Sequence, residues 1–375
     1  MCGRRAERRY LSRIRLPVLA LVGLLGGCEA PPPPVEQDAA LLAGVAALLA
    51  PGAVPGPLDL PADHGTHPSQ GLELWRLQAR VEETDGRAHL LTLGVVRLTL
   101  ATPPDPPLSA WRGDRLLWGW SQRLGPVGVA FEQRRARAVL GLAGTRPDPP
   151  RVWVRDWTLA LGPGRPPWRL RFEDAAGRRL VLAGGAPALG LARLAATLGA
   201  EATTAGPQGY LLPGLSVSGQ LLVDGRPRAV EGRAWFEHLW AGGGEGAGVG
   251  LRLTRLTLQL DEARTLACVE LRRAEAGGRP IPGCVLVTDD GQVRAFRRRE
   301  LRLEAQERGT HPARWRLEIP ALALAVALAP WEDAPGPIAP GVAVRVAGSV
   351  EGRVIDGWGW VESGGPGQRI RGEGE

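Results

Sequence analysis

The chain has 375 residues, with 46 basic residues, all arginine, against 39 acidic ones, and a formal net charge of +7. Six arginines and Glu7 precede Cys28, so the remainder carries 40 basic and 38 acidic residues, a net of +2, which excludes a phosphate-binding basic face and nucleic acid as a partner. The 52 glycines and 34 prolines exclude long helices and favour short elements joined by turns, in a length that holds two domains.

Arg4, Arg5, Arg8, Arg9, Arg13 and Arg15 precede an apolar run from Leu16 to Leu25. That run is shorter than the ~20 residues of a membrane-spanning helix, so residues 1–27 read as a secretory leader. Leu25-Gly26-Gly27-Cys28 has the form of a bacterial lipobox, and processing there makes Cys28 the lipid-bearing first residue. A plain leader with an incidental cysteine is the alternative, and Arg8-Arg9 raises export by the twin-arginine route. The expected location is the bacterial cell envelope, anchored by lipid to the outer membrane and facing the periplasm. Residues 28–57, including Pro31 to Pro34, read as an extended tether, with Ala39 to Ala50 as a short interfacial helix.

The first folded unit is expected over residues 58–206. It opens with Asp63-His64-Gly65-Thr66-His67-Pro68 and Leu72-Glu73-Leu74-Trp75, followed by strand-like runs at Leu90 to Leu100, Val127 to Phe131, Val152 to Leu161, Trp168 to Phe172 and Leu180 to Ala183. Pro187 to Leu198, where alternation fades, reads as a short helix. A second unit is expected over 207–363. Leu215 to Val223 turns through Asp224-Gly225 into Ala229 to Trp240, and a glycine-dense loop, Gly242 to Gly250, leads to Leu251 to Leu260. In that last run the leucine alternation slips by one, which predicts a bulge near Thr254. Further strands are expected at Trp315 to Ile319, Ala321 to Ala329 and within Val342 to Val361, with residues 364–375 as a disordered tail. Two successive sets of short strands give an all-β chain of two antiparallel barrels or sandwiches.

Only Cys268 and Cys284 lie outside the leader and anchor. Each sits in an apolar run, and in an oxidising compartment a cross-strand disulfide is one outcome and two free thiols the other. They carry no metal-ligand spacing. Chemistry concentrates in Arg233-Ala234-Trp235-Phe236-Glu237-His238-Leu239-Trp240, which holds one of the two adjacent acid-imidazole pairs, the other being Asp63-His64. On a strand, Glu237 and His238 point to opposite faces, so the same stretch equally describes an aromatic core strand with two polar residues.

The chain resembles the AttH-like and carotenoid 1,2-hydratase-like family of secreted bacterial proteins from about Asp63 to Val361. The resemblance rests on Ala62-Asp63-His64-Gly65 with His67-Pro68, Glu73 and Trp75, Val152-Trp153 with Asp156-Trp157, Tyr210 with Pro213, Val217-Ser218-Gly219, Val223-Asp224-Gly225, Gly232 with Ala234-Trp235, and His238 with Trp240. It implies two tandem lipocalin-like antiparallel barrels. Where the family has Glu-Trp-Trp-Tyr this chain has Glu73-Leu74-Trp75-Arg76, and its acidic-His-Glu-Trp pattern becomes Glu237-His238-Leu239-Trp240. The hydratase branch also carries a tyrosine and an acid on the strand that here reads Leu266-Ala267-Cys268-Val269-Glu270-Leu271. These departures favour a non-catalytic carrier of a hydrophobic small molecule or lipid, which the resemblance places beside an ABC-type export permease. Asp63, His64, His67, Glu73, Trp75, Tyr210, Trp235 and Trp240 are its candidate ligand-binding residues. The alternative is a hydratase acting on a terpenoid double bond, with Glu237, desolvated by Trp235, as proton donor and His238 as base. A packed envelope scaffold is a third reading. His64, His67 and His238 offer the ligand types of a metal site, but neither a metal nor a cofactor is expected.

Overall fold

The computed structural model describes residues 57–99, 113–190, 208–241, 251–273, 281–308, 311–331 and 341–364. The leader, Cys28, almost all of the tether, the loop 242–250 and the tail beyond Gly364 lie outside these residues. The described residues are strands joined by turns, with three single 3-10 turns.

The first sheet takes β1 (Leu72–Glu83), β2 (Ala88–Thr99), β3 (Arg115–Gly125), β4 (Gly128–Arg137), β5 (Ala143–Pro147), β6 (Pro150–Val154), β7 (Trp157–Leu161), β8 (Trp168–Glu173), β9 (Arg179–Gly184), β10 (Leu189–Gly190), β11 (Gln208–Val223) and β12 (Arg226–Ala241). Its order is β4-β3-β2-β1-β12-β11-β9-β8-β7-β6-β5, with β10 beside β11. The edges β4 and β5 approach each other, so the sheet nearly closes into a barrel. The second sheet takes β13 (Leu251–Gln259), β14 (Arg264–Arg273), β15 (Ile281–Thr288), β16 (Val293–Arg297), β17 (Arg302–Arg308), β18 (His311–Ile319), β19 (Leu324–Pro330), β20 (Val342–Val350) and β21 (Arg353–Gly364). Its order, β16-β15-β14-β13-β21-β20-β19-β18-β17, makes a half-barrel. This is the all-β, two-part lipocalin-like architecture.

Several boundaries differ from the sequence reading. A division at 206/207 would separate β9 from its partner β11; the two sheets part between β12 and β13 instead. The hairpin after Gly206 is drawn into the first sheet because β12 pairs with β1 along all twelve residues of β1, from Leu72↔Ala241 to Glu83↔Val230. Val152 to Leu161 is two strands, broken where Arg155 takes a left-handed φ of 55°. Within the expected helix Pro187 to Leu198, the described end forms the short strand β10, which pairs with β11. No bulge interrupts β13, whose register with both β14 and β21 runs without a shift. Gly364, expected in the tail, ends β21.

The barrel interior holds Leu77, Leu93, Val154, Trp157, Trp168, Leu182, Leu212, Phe236 and their neighbours. The second sheet wraps a separate core that includes Cys268 and Cys284, directly opposed on β14 and β15 and joined as a disulfide. Between the sheets lies a third cluster of Leu90, Leu124, Trp235, Ala343, Trp358 and Trp360. β1 and most of β12 are therefore buried on both faces, and their near-continuous burial hides the usual in-out alternation.

Candidate active site in the first barrel

Cross-strand register builds the site. Trp75 on β1 lies opposite His238 on β12, which lies opposite Tyr210 on β11. One step toward the barrel end, Arg97 on β2 lies opposite Glu73, Glu73 opposite Trp240, and Trp240 opposite Gln208. Residues two apart on a strand share a face, so the two rows stack inside the barrel. The segment 57–71 crosses this end. Its 3-10 turn Ala62–His64 brings His64, 1 % exposed, down onto Tyr210, and His67 follows onto Trp240.

Glu73 is the hub. Its Oε1 lies 2.9 Å from His238 Nε2, 3.0 Å from His67 Nδ1 and 2.9 Å from the His67 backbone nitrogen, which donates to it. Its Oε2 accepts from Arg97 Nε at 2.9 Å and from the Thr66 hydroxyl at 3.1 Å. Burial favours the neutral acid, but the hydrogen bonds from His238 and His67 and the charge of Arg97 outweigh it and hold the carboxyl well below the usual range. Arg97 also donates to the carbonyls of His67 and Gln70, so it ties the crossing segment to the barrel wall. His67 Nε2 in turn faces Asp63 Oδ1 at 3.2 Å.

Beside this hub is a dyad, with His64 Nδ1 and the Tyr210 hydroxyl hydrogen-bonded. Burial, reinforced by His238, lowers the His64 pKa to about 4, so its imidazole is neutral at pH 7. Burial, and then the charges of Asp63 and Glu73, push the Tyr210 phenol well above its ordinary value, so it keeps its proton. Burial also lowers the His238 pKa, opposed by Glu73. Two buried nitrogens, His64 Nε2 and His238 Nδ1, have no hydrogen-bond partner among the described residues. Other buried polar atoms, Thr92 Oγ1, Trp120 Nε1 and Trp157 Nε1 among them, share this state, and what distinguishes the two imidazole nitrogens is that each belongs to a ring whose other nitrogen is bonded at the site.

Trp75 stacks on His238 with ring centroids 4.9 Å apart, and Trp240 stacks on His67 at 3.6 Å while its Nε1 donates to Gln208. Trp235 and Glu237 lie elsewhere. On the outer face of β12, Trp235 stacks on Trp358 and donates to Gln78. Glu237 is ion-paired to Arg76 and Arg255, and Arg76 also reaches Glu362. Burial acts against the charge of Glu237, but the two guanidiniums outweigh it and lower its pKa. Glu237 therefore does not share a site with His238 and is not the protonated acid that a catalytic role for it requires.

Arg97 was not singled out in the sequence. The signal is a lone charge at an inward position two residues beyond Val95, level with Glu73. A cavity of about 270 Å³ opens next to it, lined by Arg97, Arg115, Leu117, Thr145 and Trp153 among others.

A sequence model of the AttH-like family matches residues 51–336. The chain belongs to the AttH-like family. Its structure is similar to that of a Nitrosomonas europaea protein described as an AttH, at 19% identity, covering 84% of this chain and 99% of that one with a TM-score of 0.63. It is also similar to kievitone hydratase from Nectria haematococca, at 12% identity, 84% and 97% coverage and a TM-score of 0.55. None of the curated proteins matches the chain. At these identities the AttH-like chain shares the fold with both.

Proposed function

We propose that this AttH-like protein is a hydro-lyase that adds water to a carbon–carbon double bond at the inner end of the first barrel, with the His64–Tyr210 dyad moving the protons. The observation that carries it is the buried His64–Tyr210 hydrogen bond beside the unpartnered His64 Nε2. In the tautomer that donates Nδ1–H to the phenol oxygen, Nε2 is left as a free base and the phenolic proton is free to donate. Nε2 takes a proton from water as the oxygen bonds to one carbon, and Tyr210 delivers its proton to the other end of the double bond. His64 then returns its Nδ1 proton to the phenolate, and the resulting Nε2–H tautomer reverts to the starting one by proton exchange with water before the next turnover.

A phenol is a weak acid, so the reading fits a double bond polarised by conjugation better than an isolated one. It keeps the hydration chemistry and moves the donor from Glu237 to Tyr210. A structural neighbour named as a hydratase supports the fold as a setting for such a reaction.

The test is incubation of the purified chain in ¹⁸O-labelled water with prenylated and enone-bearing terpenoid substrates, followed by mass spectrometry. Label should enter the product, and Tyr210→Phe should lower the rate about 10²- to 10⁴-fold with the fold intact. Absence of labelled product across both substrate classes, or an undiminished rate in Tyr210→Phe, sinks the reading.

A second reading, a carrier of a small hydrophobic molecule acting beside an export permease, draws on the cavity next to Arg97 and Trp153. The lipobox-like sequence supports an envelope location for either activity. Cys28→Ser should move the protein from the membrane to the soluble fraction on cell fractionation, and retention in the membrane would remove the anchor.

A further inference from the structure

We infer that the first barrel holds a divalent transition-metal ion of the zinc class through His67 Nδ1, Glu73 Oε1 and His238 Nε2, with Asp63 orienting His67. The three ligand atoms lie within 4.8 Å of one another, the one such grouping among the described residues. It goes beyond the hydration reading, because occupancy is measured without any substrate.

Hydrogen bonding alone fits this geometry poorly. Three nitrogens crowd Glu73 Oε1 at 2.9, 3.0 and 2.9 Å, whereas a carboxylate oxygen offers two lone pairs. The imidazole of His67 faces a carboxylate oxygen with each nitrogen, Glu73 at 3.0 Å and Asp63 at 3.2 Å, which hydrogen bonding satisfies only with a doubly protonated ring, since a neutral one has a single N–H to donate. A cation among His67 Nδ1, His238 Nε2 and Glu73 Oε1 resolves both conflicts. The His67 proton then sits on Nε2 and is donated to Asp63, the carboxylate–histidine–metal arrangement that fixes a ligand's tautomer.

Two of the three ligand-atom spacings are also near what is required, and the third is within 4.8 Å. A tetrahedral ion with bonds of ~2.0–2.1 Å sets its ligands about 3.3 Å apart, and the two measured separations from Glu73 Oε1 fall a few tenths of an ångström short of it. Arg97 and Thr66 bind the other oxygen, Oε2, and hold the carboxylate in place without occupying the ligand atom. Two imidazoles and one carboxylate leave a coordination position for water or substrate, and nitrogen-rich donors suit zinc, cobalt or nickel over magnesium or calcium.

The test uses the untagged chain, stripped with chelator, equilibrated with Zn²⁺ and desalted. Metal analysis should find about one equivalent. Co²⁺ should give the visible absorption of a four-coordinate site, and added metal should raise the thermal midpoint, because it binds the folded state. His238→Gln should abolish binding, and Asp63→Asn, at a partly exposed position, should weaken it about 10- to 100-fold while the circular dichroism stays that of the parent. A folded, metal-free parent chain with an unchanged thermal midpoint overturns the inference. So does equal occupancy in the parent and in Asp63→Asn if His238→Gln does not fold.

Discussion

The two faces of β12 carry adjacent residues in opposite circumstances. On the outer face, Glu237 is closed off by Arg76 and Arg255, and Arg76 is shared with Glu362, so the charges there are answered within the protein. On the inner face, His238 bonds Glu73 with one nitrogen while the other has no partner among the described residues, and His64, on the crossing segment, bonds Tyr210 and is left in the same state. The difference separates a polar cluster that fastens two sheets from one whose imidazole nitrogens are not all paired among the described residues. Burial alone does not distinguish them, since Glu237 and His238 are both fully buried.

The sharpest way to break the comparison is to remove Arg76. Arg76→Leu deletes the guanidinium shared by Glu237 and Glu362 and leaves buried carboxylate charge under-compensated, which should destabilise the protein by about 3–5 kcal/mol. Urea denaturation measures it. A loss below about 1 kcal/mol would show that the network does not fasten the sheets.

Acid should next separate the inner-face imidazoles from the buried carboxylates, Glu73 inside and Glu237 outside. The folded pKa of His64, about 4, lies below its ordinary value of 6.5, so the unfolded chain binds the extra proton first. Its contribution is complete above pH 6.5 and is lost as pH falls toward 4, on the order of 3 kcal/mol at most. Glu237 also has a lowered pKa, so its contribution is complete above 4.5 and lost only as pH falls through the lower folded value. Stability measured against pH should therefore fall in two stages, and His64→Gln should shrink the upper one, to which His238, whose pKa is also lowered by burial, contributes the rest. A single transition below pH 4.5 in the parent chain would show that His64 is not held neutral by the fold.

Much of the inner face was legible in sequence. Asp63, His64, His67, Glu73, Trp75, Tyr210, His238 and Trp240 all carry the family resemblance in the sequence, and strand periodicity sets Glu237 and His238 on opposite sides. What it could not supply was the partner of each face. Arg76 meets Glu237 across 161 residues of chain, and Arg255 and Glu362 arrive from a second sheet. Such pairing depends on which strands become neighbours. Trp235 looked like a pocket wall for the same reason, because the sheet that covers it, through Trp358 and Trp360, begins ten residues after β12 ends. β3 carries no strand signal in the sequence because Trp118, Gly119, Trp120, Ser121 and Gln122 are all buried or closely packed, and no alternation marks them.

The smallest expected effect compares the tryptophans of the two faces directly. Each indole donates its N–H to a glutamine, Trp235 to Gln78 at 2.8 Å and Trp240 to Gln208 at 3.0 Å. Substitution by phenylalanine keeps an aromatic face and removes the donor. Gln78 is 1 % exposed, so its amide oxygen is left buried without its donor, at a cost of about 1–3 kcal/mol. Gln208 is only partly buried, so water can replace the indole, and Trp240→Phe should cost no more than about 1 kcal/mol. Equal losses in Trp235→Phe and Trp240→Phe, measured by the same urea titration, would mean that the inner end of the barrel is sealed as tightly as the seam between the sheets. A smaller loss for Trp240→Phe would place water, and therefore access, at the Glu73 end.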